Sequence, residues 1–98
     1  LHLFVLAYSH IIQNAWGPTE ATIESASQQR VPGGAKINIG RPLANQRVYI
    51  VNSAMQVQPV GVIGEICVAG AGVSQGYLNQ PQLTERKFQP DPFAPMYF

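Results

Sequence analysis

Apolar positions come in short runs, broken by polar stretches and by Gly and Pro. Residues 1–9 are apolar and fit either a helix end or a buried strand, since periodicity cannot separate the two over so short a run. His10-Ile11-Ile12-Gln13 is β-branched and reads as a short buried strand. That strand must end in Asn14-Ala15-Trp16-Gly17-Pro18-Thr19-Glu20, because Pro18 cannot donate a backbone hydrogen bond and Gly17 frees the backbone before it. Thr19-Glu20-Ala21-Thr22 can then form one helical turn. Ile23-Glu24-Ser25-Ala26-Ser27 alternates as a strand does, Val31-Pro32-Gly33-Gly34-Ala35 is a loop, and residues 37–42 look extended. Arg47-Val48-Tyr49-Ile50-Val51 is the clearest strand. The polar stretch 52–61 connects it to Val62-Ile63-Gly64-Glu65-Ile66-Cys67-Val68-Ala69, so the two predict a long hairpin. Gly70, Gly72 and Gly76 space the next loop. Pro81-Gln82-Leu83-Thr84-Glu85-Arg86-Lys87-Phe88 predicts a short helix with Pro in its first turn, after which Pro90, Pro92 and Pro95 forbid regular structure. The order predicts an α+β, β-rich chain with two short helical segments.

Composition changes this picture at the surface. Of 98 residues, 46% are hydrophobic and only 11% are charged, well under the ~25% of an average soluble domain. A small domain standing alone exposes much of its area and needs charge there. Some of this surface is therefore expected to be covered by protein outside the chain. The chain begins within an apolar run and ends on Pro95-Met96-Tyr97-Phe98, so it is expected to be an internal fragment, cut at both ends and marginal when isolated. Net charge is +1 with Lys and Arg scattered; without a basic stripe, nucleic acid is a poor partner. No apolar run approaches the ~20 residues that cross a bilayer, and residues 1–12 lack the basic flank of a signal peptide. The single cysteine, Cys67, forms no internal disulfide and fits a reducing, cytoplasmic compartment.

Candidate chemistry concentrates at residues 14–20. Gly17 has no side chain to hold off a flat ligand, and Trp16 offers a π face for a base. Thr19 and Glu20 set a hydroxyl beside a carboxylate, which suits phosphate oxygen and its Mg²⁺ ion. A purely structural account explains the same residues: Thr19 caps a helix, Glu20 favours its N-terminus, and Trp16 is core. Spacing alone leaves both open. The glycine loop Gly70-Ala71-Gly72-Val73-Ser74-Gln75-Gly76 fits no nucleotide pattern. Gln75 stands where a dinucleotide loop needs its third glycine, and Tyr77-Leu78 where a Walker loop needs Lys and Ser or Thr. It reads as a tight turn after a strand. His2 and His10 lie among apolar residues with no ligand set, Cys67 should be a buried small hydrophobe, and Glu65 should make a structural hydrogen bond. No paired-carboxylate or metal-ligand spacing appears.

The motif Asn14-Ala15-Trp16-Gly17-Pro18-Thr19-Glu20 resembles a core motif of the adenylate-forming superfamily, in the form found in amino-acid adenylation domains of nonribosomal peptide synthetases. A second motif, Gly64-Glu65-Ile66-Cys67-Val68-Ala69-Gly70-Ala71-Gly72-Val73-Ser74-Gln75-Gly76-Tyr77-Leu78, resembles the next core motif of those domains. Ile39-Gly40-Arg41-Pro42-Leu43-Ala44-Asn45 between them and Asn79-Gln80-Pro81-Gln82-Leu83-Thr84-Glu85-Arg86-Lys87-Phe88 after them are similar too. The resemblance covers residues 13–93; residues 1–9 match poorly.

This resemblance implies a fold in which the chain ends an α/β subdomain and leads into a β-barrel-like one. It implies an enzyme that joins an amino acid to ATP as an aminoacyl-adenylate, then passes it to the phosphopantetheine thiol of a carrier-protein domain. Glu20 would hold Mg²⁺, Thr19 would contact the α-phosphate region, and Trp16 would stack on adenine, where the family usually has Tyr. Asn14 and Gly17 would shape the adenine edge. Ala15, Ile23 and Glu24 would line the amino-acid pocket, the Glu24 carboxylate hinting at a polar or basic substrate. The phosphate loop, the ribose-binding Asp and the catalytic Lys lie outside these residues, so the chain alone is expected to be inactive. An acyl-CoA synthetase fragment and a non-enzymatic β-rich interaction module are the alternatives.

Overall fold

The computed structural model describes residues 13–29, 36 and 38–94. The expectations for residues 1–12, for the loop at 31–35 and for the last four residues lie outside them. β1 (Gln13–Trp16), β2 (Ala26–Gln29) and β3 (Arg41–Pro42) form an antiparallel sheet in the order β1-β2-β3. β4 (Gln46–Val51) and β5 (Glu65–Gly70) form the expected hairpin, running from Gln46 opposite Gly70 to Val51 opposite Glu65. A 3₁₀ turn (Thr19–Ala21) and helix α1 (Pro81–Lys87) are the two helical segments. The α+β, strand-rich character holds, and among the described residues no barrel closes.

β1 ends at Trp16, inside the stretch where Pro18 requires the strand to stop, with Asn14, Ala15 and Trp16 paired to Gln28, Ser27 and Ala26. Two boundaries differ from the sequence reading, each for a local reason. β2 starts at Ala26 rather than Ile23: Thr22 (φ 60°) and Ile23 (φ 73°) both turn left-handed, which no strand permits. The alternation at 23–27 thus belongs to a corner. β5 starts at Glu65 because Val62 is still inside a turn, its amide bonded to the Pro59 carbonyl at 3.1 Å.

In α1, Pro81 takes the first position, where its missing N–H costs nothing, and Arg86 and Lys87 occupy the last turn, facing the negative end of the helix dipole. Among the described residues the fully buried apolar side chains are Ala21, Ala26 and Val51, joined by the buried Ser25. Ile23, Val60, Ile63 and Leu78 stand exposed. Ala21, Ser25 and Ala26 are buried at the corner after the 3₁₀ turn, whereas Val51 is buried at the end of β4 away from Gln46, where it bridges Val57.

Candidate functional site

β1 delivers the chain to Gly17 with alternating faces: Asn14 and Trp16 are half-buried, while Gln13 and Ala15 are exposed. Trp16 and Ala15 therefore point to opposite sides of the strand. Gly17 is needed for a reason the sequence did not reveal. A Cβ there would stand 2.6 Å from the Glu24 Cα and run into the Ile23 carbonyl. The returning backbone, rather than a flat ligand, takes up that space. Pro18 follows as the N-cap, with no side-chain cap hydrogen bond, so Thr19 does not cap the helix. Thr19 is exposed and Trp16 is only half-buried, which removes two of the three supports of the capped-helix account.

The glycine loop closes on this turn. The Ser74 amide donates to the Glu20 carbonyl at 2.8 Å. The Thr22 hydroxyl donates to the Gly72 carbonyl at 2.6 Å, and the Tyr77 hydroxyl donates to Glu20 Oε1 at 2.7 Å. Gly72 permits the approach, since a Cβ there would lie 3.1 Å from the Ala21 carbonyl. The glycines are structural, as their spacing predicted, but the structure they serve is the first motif. From behind, Gln46 in β4 donates its amide to the Glu24 carbonyl at 3.0 Å. Asn14 donates to the Asn38 carbonyl at 2.6 Å and ties β1 to the approach to β3.

The Tyr77 bond, helped by Glu20's own amide, holds the Glu20 carboxyl below its ordinary range against a smaller upward push from burial. Reciprocally, the bond to Glu20, then burial and the carboxylate charge, raise the Tyr77 phenol. A carboxylate kept ionised is a hard-oxygen donor, while the exposed Thr19 hydroxyl, next in sequence, is not among the walls of the groove that Glu20 lines. Magnesium is usually held by one or two carboxylates together with substrate phosphates and water, so a single Glu suffices. Among the described residues no cluster of three or more His, Cys, Asp or Glu could hold a metal by itself.

Trp16, Glu20 and Tyr77 line one open groove of about 680 Å³, whose far wall includes Phe88 and Phe93. Asn14, Ala15, Gly17, Thr19, Ile23 and Glu24 are not among its walls. The C-terminal wall is pinned to the hairpin: Asp91 Oδ2 accepts from Arg47 Nε and from the Tyr49 hydroxyl, each at 3.2 Å, and Phe93 packs on Tyr49 at 4.9 Å. Burial pushes Asp91 up, but the Phe93 amide, Arg47 and Tyr49 together hold it below the usual carboxylate value. Cys67 is half-buried rather than buried. Burial and then the Glu65 charge raise its thiol, away from the reactive thiolate form.

The profile of the AMP-binding enzyme family matches residues 2–78. The chain belongs to the AMP-binding enzymes. The match reaches further toward the N-terminus than the resemblance at 13–93, so residues 2–9 fit the family after all. Among curated relatives, tyrocidine synthase 3 of Brevibacillus parabrevis is 49% identical over 84 residues, which are 86% of this chain and 1% of that protein. The nonribosomal peptide synthetase pboA of Aspergillus ustus is 50% identical over 88 residues, 90% of this chain and 4% of its own length. A crystal structure of a four-domain nonribosomal peptide synthetase bound to AMP and glycine superposes with a TM-score of 0.78 at 33% identity, over 84% of this chain and 6% of that one. The N-terminal subdomain of Klebsiella oxytoca NpsA, in complex with 3-hydroxyanthranilyl-AMSN, gives 0.74 at 32% identity, over 85% and 20%. This AMP-binding chain thus spans a few per cent of the curated relatives it matches.

Tyr77, Ser74 and Gln46 are the contributors the sequence reading missed. Tyr77 and Ser74 lay inside the second motif, but no periodicity pointed to their partner in the first. Gln46 opens β4 with a half-buried polar side chain, the one local sign that it serves something beyond the strand.

Proposed function

We propose that this chain is part of an amino-acid adenylation domain of a nonribosomal peptide synthetase and supplies one wall of its ATP site. The observation that carries the reading is the hydrogen-bonded junction between the two motifs, which holds the Glu20 carboxylate in a groove shared with Trp16. The curated relatives are peptide synthetases, which favours this over an acyl-CoA synthetase or a non-catalytic module.

In this proposal Glu20 would hold Mg²⁺, and the ion when bound would supply positive charge at the phosphates; the amino-acid carboxylate attacks the α-phosphorus and pyrophosphate leaves. Thr19 donates to the α-phosphate region, Trp16 stacks on adenine, and Asn14 and Gly17 shape the adenine edge. Ala15 projects from the opposite face of β1 to Trp16, and with Ile23 and Glu24 it lines the amino-acid pocket. The Glu24 carboxylate favours a polar or cationic substrate side chain. The aminoacyl group then passes to the phosphopantetheine thiol of a carrier domain.

The test is amino-acid-dependent pyrophosphate exchange by an intact adenylation domain carrying this segment. Glu20→Ala lowers exchange on the order of 100-fold through loss of the cation ligand. Near-normal turnover overturns the assignment.

A further inference from the structure

Glu20 carries its carboxylate on a flexible stem, and a cation ligand is effective only when its orientation is fixed. Two contacts, one from the glycine loop and one from the tyrosine that follows it, fix it. Ser74 holds the Glu20 backbone through its carbonyl at 2.8 Å, and Tyr77 holds the side chain at Oε1 at 2.7 Å. Tyr77 is itself clamped: its amide donates to Thr84 Oγ1 at 2.9 Å, and its ring meets Phe88 edge-on with centroids 5.2 Å apart. Gly76 makes the clamp possible, since a Cβ there would lie 2.8 Å from Thr84 Oγ1. A carboxylate offers about four lone-pair sites. One bond to a neutral phenol therefore leaves acceptor capacity for a cation and brings no competing positive charge.

We propose that Tyr77 is the positioning residue of the candidate Mg²⁺ ligand, its phenol setting the direction in which the Glu20 carboxylate meets the cation. α1 acts through it, because Thr84 and Phe88 hold the tyrosine in place. This rests on the reading of Glu20 as a cation ligand, and the experiment separates the two.

In an intact adenylation domain carrying this segment, Mn²⁺ affinity is measured by EPR with a non-hydrolysable ATP analogue, and the Mg²⁺ activation constant by pyrophosphate exchange. The variants are Tyr77→Phe, Glu20→Gln and Thr84→Val. Tyr77→Phe weakens Mn²⁺ binding and raises the activation constant about tenfold, with kcat at saturating Mg²⁺ within about twofold of the parent. Thr84→Val, which loosens the clamp and keeps the phenol, shifts the same constant less. If Glu20→Gln destroys Mn²⁺ binding while Tyr77→Phe leaves it unchanged, Tyr77 positions nothing and the ligand reading stands. If Tyr77→Phe lowers kcat without moving either metal constant, its role is structural and the proposal is overturned. Unchanged Mn²⁺ affinity in Glu20→Gln overturns the ligand reading itself.

Discussion

The β4–β5 hairpin and the corner between Gly17 and Ser25 are built on opposite principles. The hairpin satisfies its own backbone: each residue from Gln46 to Val51 has a partner in β5, and both strands were readable from their β-branched runs. The corner is irregular. Thr22 and Ile23 are left-handed, and its carbonyls at Glu20 and Glu24 are satisfied by the Ser74 amide and the Gln46 side chain, both remote in sequence. The hairpin supplies the frame, and the corner carries the candidate chemistry. Strain and borrowed hydrogen bonds persist only where surrounding structure over-determines them, which is the role of the hairpin and the glycine loop.

If that division is right, the corner tolerates added volume less well than the hairpin tolerates lost volume. Gly17→Ala puts a Cβ against the Ile23 and Glu24 backbone, which cannot rotate away. A loss of about 3 kcal/mol is expected, the upper end for overpacking, read as a fall in the urea midpoint. A loss under about 1 kcal/mol would mean that the corner yields and that the glycine is not structural. Val51→Ala in the hairpin removes two buried methyls and leaves a cavity, for about 2 kcal/mol. Should it exceed Gly17→Ala in the same urea series, the comparison is inverted.

The same division marks what was legible. Arg47 to Val51, the Pro81 helix start and the tight-turn reading of the glycines followed from local chemistry and held. Ile23 was misplaced because alternation cannot register a left-handed backbone. The β1-β2-β3 sheet was missed because Ser27, Gln28 and Gln29 are polar residues that β-propensity alone would not place in a strand. For the site, the residue types at 14–20 suggested chemistry and the paired motifs gave a family. The contact of Tyr77 with Glu20, 57 residues apart, has no sequence period to announce it.

A smaller effect sharpens the strain half of the comparison. Ile23 is 84% exposed, so little apolar burial is at stake in changing it. A β-branched residue at φ 73° is costly, whereas Asn enters this region readily. Ile23→Asn is therefore expected to stabilise the chain by about 1 kcal/mol, seen as a higher urea midpoint. Destabilisation instead would show that the isoleucine contributes packing that outweighs its backbone.

The smallest effect concerns the charge held at the corner. Glu20's carboxyl is lowered in the fold, so its bond contributes stability above the unfolded value near ~4.3 and loses it as pH falls through the lower folded value. Tyr77's phenol is raised, so its share is present below ~10 and is lost as pH rises through the higher folded value. Both groups are partly exposed, and solvent screening keeps the contribution small. Asp91 is also lowered and adds to the acid limb, but it is intact in both the parent and Tyr77→Phe, so it cancels in their difference. That difference in unfolding free energy is expected to be flat between roughly pH 5 and 9 and to shrink toward zero at both ends. A difference that stays constant into strong acid and strong base would mean that the corner is held by its backbone bonds alone, with Tyr77 and Glu20 in mere proximity.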